Sequence, residues 1–303
     1  MAGAIAPGVA FLKPSGMDNP DAIKVPADIT KEGMFGAWAA YAEHIFLYIL
    51  AAGAPNPNFA TGADSYYAMI TYKGRYKGEE FIFCGTGAAF TYQWTHAFID
   101  FRNLRDKLGR NWFENSRHAA LAARQYAIDN ADRIQGLGPN SWGTSACISP
   151  STGYSGHYGS HPIGVGHKLL EDGTVAPYGA LSFLPFTPKE STAALDHMYR
   201  IPGLVGDYGL YDAYSYATKA KGDQPWIAKS YLGIDKGLVL LMFENYSTQL
   251  IWRLLHQKGN MKNLPDKYGD FIPGKNTTTA EICSELSGIL EKASRRAGKR
   301  REK

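Results

Sequence analysis

The chain has 303 residues, of which 45% are hydrophobic and 20% charged, a balance typical of a globular protein with a large core. The formal net charge of +4 comes mainly from a basic tail at 298–303 and the arginines just before it, so the remainder is close to neutral and gives no sign of a nucleic-acid-binding surface. The cysteines Cys84, Cys147 and Cys283 are odd in number, far apart in the sequence and without metal-ligand spacing, so the sequence predicts no disulfide framework. We therefore expect no metal, no other cofactor and no nucleic-acid partner.

Residues 1–33 predict an irregular lead-in, because Pro and Gly interrupt them repeatedly. They lack the basic start of a signal peptide, and no run is long and apolar enough to cross a membrane. Residues 1–33 on their own predict a cytoplasmic protein, whereas a signal upstream would predict a periplasmic or secreted one, so the compartment stays open.

Residues 36–55 predict a helix that is apolar almost all round and ends at Gly53, the mark of a buried helix. At helical spacing its one carboxylate, Glu43, shares a face with Phe46 and Leu47. Such surroundings are costly for an ionised carboxylate, raise a carboxyl pKa and suit a general acid. The structural alternative is a Glu near a helix start, stabilised by the helix dipole and a nearby amide.

A short strand is predicted at 79–84, a helix at 92–108 and an Ala-rich helix at 111–131. His96 and Asp100 lie one turn apart on the helix at 92–108. The pair is compatible with a catalytic relay, a metal pair or a structural hydrogen bond. The structural bond is favoured, and the metal pair is the weakest reading because no third ligand is apparent.

The longest irregular region is 136–188, where aromatic residues stand among many Gly and Ser. Loops of this length in a compact domain are usually functional. Asp172 precedes Gly173 in this region, which fits either a turn former or a site carboxylate. A capping box with Pro at the first helical position, at 187–190, predicts a helix that runs to about Tyr199.

Residues 206–231 are again rich in Tyr, Gly and Trp and are expected to line a site. A second largely apolar helix is predicted over 233–256, in which Glu244 is another buried-carboxylate candidate and Asp235 is interpreted as a cap or first-turn acid. A final amphipathic helix is predicted over 277–297. The pattern predicts an all-α protein with little β structure, a helical toroid or layered helical domain whose long loops build a cleft at one end.

Several stretches, in order, resemble one family: the glucoamylase-like domain of bacterial endo-β-1,2-glucanases, glycoside hydrolase family 144, to which a domain of cyclic β-1,2-glucan synthases is related. The stretches are YAEHIFLYILAAGAP (41–55), YQWTHAFIDFRN (92–103), WFENSRHAALAARQYAID (112–129), WGTSACISPSTGY (142–154), EDGTVAPYGALSFLPFTPKE (171–190), YGLYDAY (208–214) and YLGIDKGLVLLMFENYSTQLIW (231–252). The resemblance implies an (α/α)6 toroid that acts on β-1,2-linked glucan, and we expect a single domain over 34–297.

By this resemblance, Glu43 falls on the family's acidic position and is the expected catalytic acid. The second carboxyl group that glycoside hydrolysis requires is expected among Asp100, Asp172 and Glu244. The expected sugar-binding side chains are Tyr92, Trp94, His96, Arg102, Trp142, Tyr154 and Trp226.

The family's first helical hairpins, which carry further acidic residues near the reaction centre, have no counterpart in the chain. The sequence therefore predicts a partial toroid that lacks an N-terminal segment or a partner chain. Two functions remain open: a glycoside hydrolase or transglycosylase acting on a β-glucan, and a non-catalytic glucan-binding or scaffold protein. A third reading is a chain that needs a partner to cover its inner helices.

Overall fold

The structure is a computed structural model that describes residues 40–52, 58, 64–164, 169–219, 223–256 and 272–273. Helix is the main regular structure within this part of the chain, and the strands are short. The helices are α1 (Ile45–Ala52), α2 (Asp64–Tyr67), α3 (Trp112–Asp129), α4 (Pro177–Leu181), α5 (Pro188–Met198), α6 (Gly233–Ser247) and α7 (Leu250–His256), with 3-10 turns at Ala89–Tyr92, Thr95–Ala97 and His161–Ile163. The strands are β1 (Tyr72–Tyr76), β2 (Glu79–Phe83), β3 (Leu104–Arg105), β4 (Cys147–Ser149), β5 (Gly153–Ser155), β6 (Thr174–Val175), β7 (Val205–Gly206), β8 (Gly209–Leu210), β9 (Ala213–Lys219), β10 (Pro225–Ala228) and β11 (Ile272–Pro273).

Helix α1 is shorter than the predicted helix over 36–55. The residues before Ile45 are not helical because the Tyr41 N–H donates to the Ile70 carbonyl at 2.9 Å, in a bridge that also pairs Ala40 with Ile70. Glu43 therefore lies in the turn that precedes α1, not inside a helix. The ends of the prediction, 36–39 and 53–55, lie outside the described residues.

Helix α3 crosses the core and confirms the Ala-rich helix predicted there. The side chain of Asn111 caps its first turn by accepting the N–H of Glu114 at 3.0 Å. Five alanines of α3 are buried, and such small side chains allow neighbouring elements to approach closely. Strand β2 is held alongside by Asn115, whose side chain bonds both the N–H and the carbonyl of Ile82.

The helix predicted over 92–108 is absent. Two 3-10 turns and extended chain replace it, since the backbone carbonyls there bond to distant side chains instead of to the next helical turn. The His96 carbonyl accepts Trp252 Nε1–H at 2.7 Å, and the Ala97 carbonyl accepts the Asn245 side-chain amide at 2.8 Å. Asn103 then adopts a positive φ of 60°, which breaks any helix.

The regions that were expected to be irregular contain short strands, which hold the loops of these regions in place. Strands β10, β9 and β6 form a three-stranded antiparallel sheet, and β7 pairs with β8 in a hairpin. The pairing of Ala213 with Ala228 in this sheet fixes how the segments before β9 and after β10 meet. Helix α4 packs against residue Gly143, where a Cβ atom would lie 2.2 Å from the Ala180 nitrogen.

Helix α5 begins at Pro188, as the capping box predicted, but the Thr187 side chain does not cap it. Its hydroxyl donates to the Phe183 carbonyl at 3.3 Å instead. The helix predicted over 233–256 is interrupted at Gln249, which has a φ of 59°, and the chain continues as α7. The final helix predicted over 277–297 lies outside the described residues. In the part of the chain that the structure describes, no helix has the length and apolar character of a membrane span.

Candidate functional site

Two acidic side chains, Asp212 and Asp235, lie close together in a buried position, near enough for the charge of Asp212 to raise the pKa of Asp235. Asp212 follows β8, and its backbone N–H donates to the Ser230 carbonyl at 3.0 Å. Asp235 stands in the first turn of α6. The two residues are 2% and 3% exposed. Since neighbouring carboxylates repel each other when both are ionised, their contact implies a shared proton.

The pKa values of both carboxyl groups are raised, as expected for a pair that shares a proton. Burial and then the negative charge of Asp212 raise the pKa of Asp235 to about 7. Burial also raises the pKa of Asp212, against the lowering influence of the Ile148 N–H, which donates to its Oδ2 at 2.8 Å. Within the described residues, no N–H or hydroxyl donates to Asp212 Oδ1 or Asp235 Oδ2. The pair therefore keeps two oxygen atoms for proton exchange near neutral pH.

A lysine lies next to the pair without forming an ion pair with it. The ammonium group of Lys236 donates to the Leu210 carbonyl. Burial lowers the pKa of Lys236, while the charges of Asp212 and Asp235 raise it. Lys236 therefore reduces the net negative charge around the pair without forming an ion pair with either carboxyl group.

Tyr154 connects Glu43 to the same site. Burial raises the pKa of Tyr154, and the charges of Asp235, Asp212 and Glu43 raise it further. All three carboxyl groups are thus close enough to act on one phenol. Tyr154 is 61% exposed, which leaves its ring open to a ligand. Of the predicted residues, Glu43 and Tyr154 are linked to the carboxyl pair through this electrostatic effect.

Glu43 itself is only partly buried. The hydroxyl of Thr91 donates to Glu43 Oε2 at 3.3 Å, and that of Thr95 donates to the Glu43 backbone carbonyl at 3.0 Å. The second bond fixes the backbone, whereas the first is long and weak. The 3-10 turn at Ala89–Tyr92 thus contacts the carboxyl group through Thr91. Among its described contacts, no arginine or lysine neutralises it.

Asp100 and Arg102 are engaged elsewhere. The guanidinium of Arg102 forms a two-pronged ion pair with Asp100, with Nε–Oδ1 at 2.8 Å and Nη2–Oδ2 at 2.7 Å. Arg102 also lies 4.4 Å above the Trp252 ring, and the Asp100 N–H donates to His256 Nε2. These contacts attach the loop to α7, and they occupy both carboxylate oxygens of Asp100. A second catalytic carboxyl is therefore better sought elsewhere.

Asp172 and Glu244 have local partners as well. Asp172 accepts the Tyr158 hydroxyl at 2.6 Å and the Thr174 N–H at 3.0 Å, which is the behaviour of a turn former. Its charge still contributes to raising the pKa of buried Cys147, so it lies at the margin of the site. Glu244 accepts the Thr248 hydroxyl at the end of α6, roughly 13 Å along the helix from Asp235 at 1.5 Å per residue.

Three of the predicted sugar-binding residues lie in the core. Tyr92 and Trp142 are 0% exposed and His96 is 3% exposed. The Tyr92 hydroxyl donates to the Ile163 carbonyl at 2.5 Å. His96 Nε2 lies 2.9 Å from the Ser116 hydroxyl, and burial lowers the His96 pKa to about 3. Direct sugar contacts by these residues stay a prediction, and in the described structure aromatic neighbours already pack against their rings.

The remaining two aromatic candidates are partly buried. Trp94 stacks on Phe90 with centroids 5.2 Å apart and meets Phe98 edge-on at 5.3 Å. Trp226 lies in β10, opposite Ser215 of β9. Both side chains are partly exposed, and neither has a described contact with the carboxyl pair.

Sequence reasoning missed the role of Asp212 and gave Asp235 only a cap or first-turn position. The first-turn position is correct, but the helix dipole is not its main interaction, because it is buried against another acid. The signal that was available is an acid among uncharged and aromatic residues inside YGLYDAY, and an acid followed by a lysine inside GIDKG. In the described ranges, the structure contains no group of three or more His, Cys, Asp or Glu suited to a metal ion.

Comparison with known proteins gives one family. Residues 36–259 match the Glycoamylase family model, described as "Putative glucoamylase". A curated relative from Parabacteroides distasonis, an "Exo beta-1,2-glucooligosaccharide sophorohydrolase (non-reducing end)", is 28% identical over 229 residues, which are 75% of this chain and 29% of the relative.

Solved structures give a similar result. An endo-beta-1,2-glucanase from Chitinophaga pinensis, in complex with sophorotriose and glucose, matches with a TM-score of 0.67 and 27% identity over 78% of this chain and 56% of that one. A beta-1,2-glucanase from Parabacteroides distasonis matches with a TM-score of 0.65 and 26% identity over 77% of this chain and 35% of that one. The chain thus spans from about a third to about half of the length of these relatives.

Proposed function

Because the chain belongs to the Glycoamylase family, we propose that it acts as a glycoside hydrolase or transglycosylase on a β-1,2-linked glucan. The names of its relatives support the substrate. The observation that carries the chemistry is the buried pair of Asp212 and Asp235, with Glu43 and an exposed Tyr154 close by. Glycoside hydrolysis needs a proton donor and a second carboxyl group, and this site offers both.

The roles follow from the surroundings of each group. Glu43 keeps the role of proton donor to the leaving oxygen that the family resemblance gives it, and among its described contacts no arginine or lysine pairs with its partly buried carboxyl group. Asp235, with a pKa of about 7, is a base of useful strength near neutral pH once its proton has left. Asp235 takes a proton from the attacking water, and Asp212 holds the Asp235 side chain in place.

The finer architecture is also part of the proposal. The chain superposes on two β-1,2-glucanases with TM-scores of 0.65 and 0.67. This similarity and the helices of the described residues support the proposal that the chain forms part of an (α/α)6 toroid. In this arrangement the aromatic-rich segments that follow α3 and α5 lie at one end of the helices. The single domain is proposed to extend over 34–297.

The decisive test is a reducing-sugar assay on β-1,2-glucan with the purified chain and its Glu43→Gln variant. We expect new reducing ends from the unmodified chain and a loss of roughly a thousandfold in kcat for the variant, because one proton donor is removed. Glucan binding should be nearly unchanged, since the two side chains have the same shape. A variant that keeps full activity would remove Glu43 from the chemistry.

The same assay separates the alternative function. A glucan-binding or scaffold protein would bind β-1,2-glucan in affinity electrophoresis and release no reducing ends. The comparison with a β-1,3-linked glucan, as a control of similar size, measures whether the linkage matters. Absence of binding to either glucan would contradict both functions.

A further inference from the structure

Three tyrosines form a cluster beside the β7–β8 hairpin that the proposed chemistry does not use. Tyr208 stands in the turn of the hairpin and is 82% exposed. Its ring lies edge-on to that of Tyr231, with centroids 5.4 Å apart, and Tyr231 is 5.0 Å from Tyr211. A large aromatic side chain this exposed buries little apolar surface in the fold, so its ring is accessible to a ligand.

The cluster is held in a fixed arrangement. The Tyr208 N–H donates to the Tyr231 hydroxyl at 3.2 Å, which ties the hairpin turn to the segment before α6. The hairpin backbone also packs directly on the other two rings, because a Cβ atom at Gly206 would lie 2.2 Å from Tyr231 Oη and 2.6 Å from Tyr211 Oη. Only glycine fits there. Rings held in this way lose little conformational entropy when a ligand binds.

The cluster is continuous with the carboxyl pair. Tyr211 immediately precedes Asp212, and the Asp212 N–H bond to the Ser230 carbonyl joins the segments that carry Tyr211 and Tyr231. Lys236 Nζ lies 5.8 Å from the centre of the Tyr231 ring, and the charges of the carboxyl pair act on the same ammonium group. A ligand that reaches the carboxyl pair can therefore extend over Lys236 to Tyr231 and Tyr208.

We propose that Tyr208 and Tyr231 form an outer sugar-binding platform. The glucose rings of a bound β-glucan chain that extend beyond the carboxyl pair stack on it. This inference rests on the proposed function. A glucose ring has an apolar C–H face and a polar rim, which match the face and the hydroxyl of a tyrosine. The platform serves long chains and contributes nothing to a substrate too short to reach it.

The test compares long and short substrates in the Tyr208→Ala variant. We expect KM for long-chain β-1,2-glucan to rise roughly three- to tenfold, with kcat unchanged, because one stacking contact is lost. KM for a β-1,2-linked trisaccharide should not change. Since Tyr208 is 82% exposed, the variant is expected to fold. Tyr199→Ala is the matched control, because Tyr199 is 45% exposed at the end of α5 and should alter neither substrate.

Each outcome decides the matter. An active protein whose Tyr208→Ala variant has unchanged kinetics on the long glucan overturns the platform and leaves the proposed function standing. Equal losses on both substrates would also overturn it, since they would indicate a structural role. If the unmodified protein binds but does not cleave, the dissociation constant for long and short chains replaces KM in the same comparison. If it neither binds nor cleaves, the proposed function and the platform fail together.

Discussion

Asp100 and the Asp212–Asp235 pair are two ways of holding an acidic side chain inside one protein. Asp100 faces Arg102, which supplies two hydrogen bonds and a full opposite charge. Asp235 faces another acid and has its pKa raised to about 7. The first arrangement stabilises a loop on α7. The second sacrifices stability and keeps a titratable proton at a position where an exposed tyrosine and Glu43 are near, which is the usual distinction between a structural and a functional carboxyl group.

The largest effect should come from removing the titratable group of the pair. We expect Asp235→Asn to lower kcat on β-1,2-glucan by about a thousandfold, because an amide cannot accept a proton from water. In the unmodified chain, activity should rise with pH through about 7, as Asp235 ionises. The measurement is kcat from pH 5 to 9, with Asp100→Asn as the matched acid-to-amide control. A control that loses as much activity as the variant would reverse the assignment of the two sites.

Stability should respond in opposite directions at the two sites. The pKa of Asp235 is 3.8 in the reference state and about 7 when folded, so the folded chain keeps a proton that the unfolded chain releases between these values. The free energy of unfolding therefore falls as pH rises through this window and levels off above about 7. At pH 8, Asp235→Asn removes that penalty and should stabilise by up to about 4 kcal/mol, at about 1.4 kcal/mol per pKa unit.

Asp100→Asn should do the reverse at the same pH. It leaves Arg102 without its charge partner in a position where the two side chains are only 25% and 16% exposed, and we expect a loss of about 1–2 kcal/mol. Urea unfolding of both variants and the unmodified chain at pH 5 and pH 8 measures the contrast. Destabilisation by Asp235→Asn at pH 8 would show that the pair is not strained.

Local sequence signals predicted some elements correctly for clear physical reasons. The Ala-rich pattern around α3 and the Pro188 start of α5 depend on residues near in sequence, and both helices form where expected. The helix predicted over 92–108 failed because its carbonyls bond to Trp252 and Asn245, about 150 residues later. No local pattern shows such partners.

Some residues of the candidate site could also be found from the sequence, and others depend on how distant segments meet. Glu43 was identified from its apolar setting and the family resemblance, and Tyr154 from the resemblance alone. The partnership of Asp212 with Asp235 depends on how β9 pairs with β10, which places the end of β8 beside the start of α6. Sequence spacing carries no information on that meeting. Tyr92 and His96 were predicted to line the cleft but are buried in the core, since aromatic and polar residues have the same sequence signature in a cleft and in a polar core.

The smallest expected effect concerns Thr91, which holds Glu43 through one bond of 3.3 Å. Thr91→Val keeps the shape of the side chain and removes the hydroxyl. The loss of a long, partly buried hydrogen bond should lower kcat by roughly threefold, since such bonds contribute about 0.5–1 kcal/mol. Thr192→Val is the matched control, because the Thr192 hydroxyl donates to the Pro188 carbonyl within α5, away from the site. A change in KM alone would mean that Thr91 contacts the sugar, and a loss as large as that of Glu43→Gln would mean that this single bond fixes the proton donor.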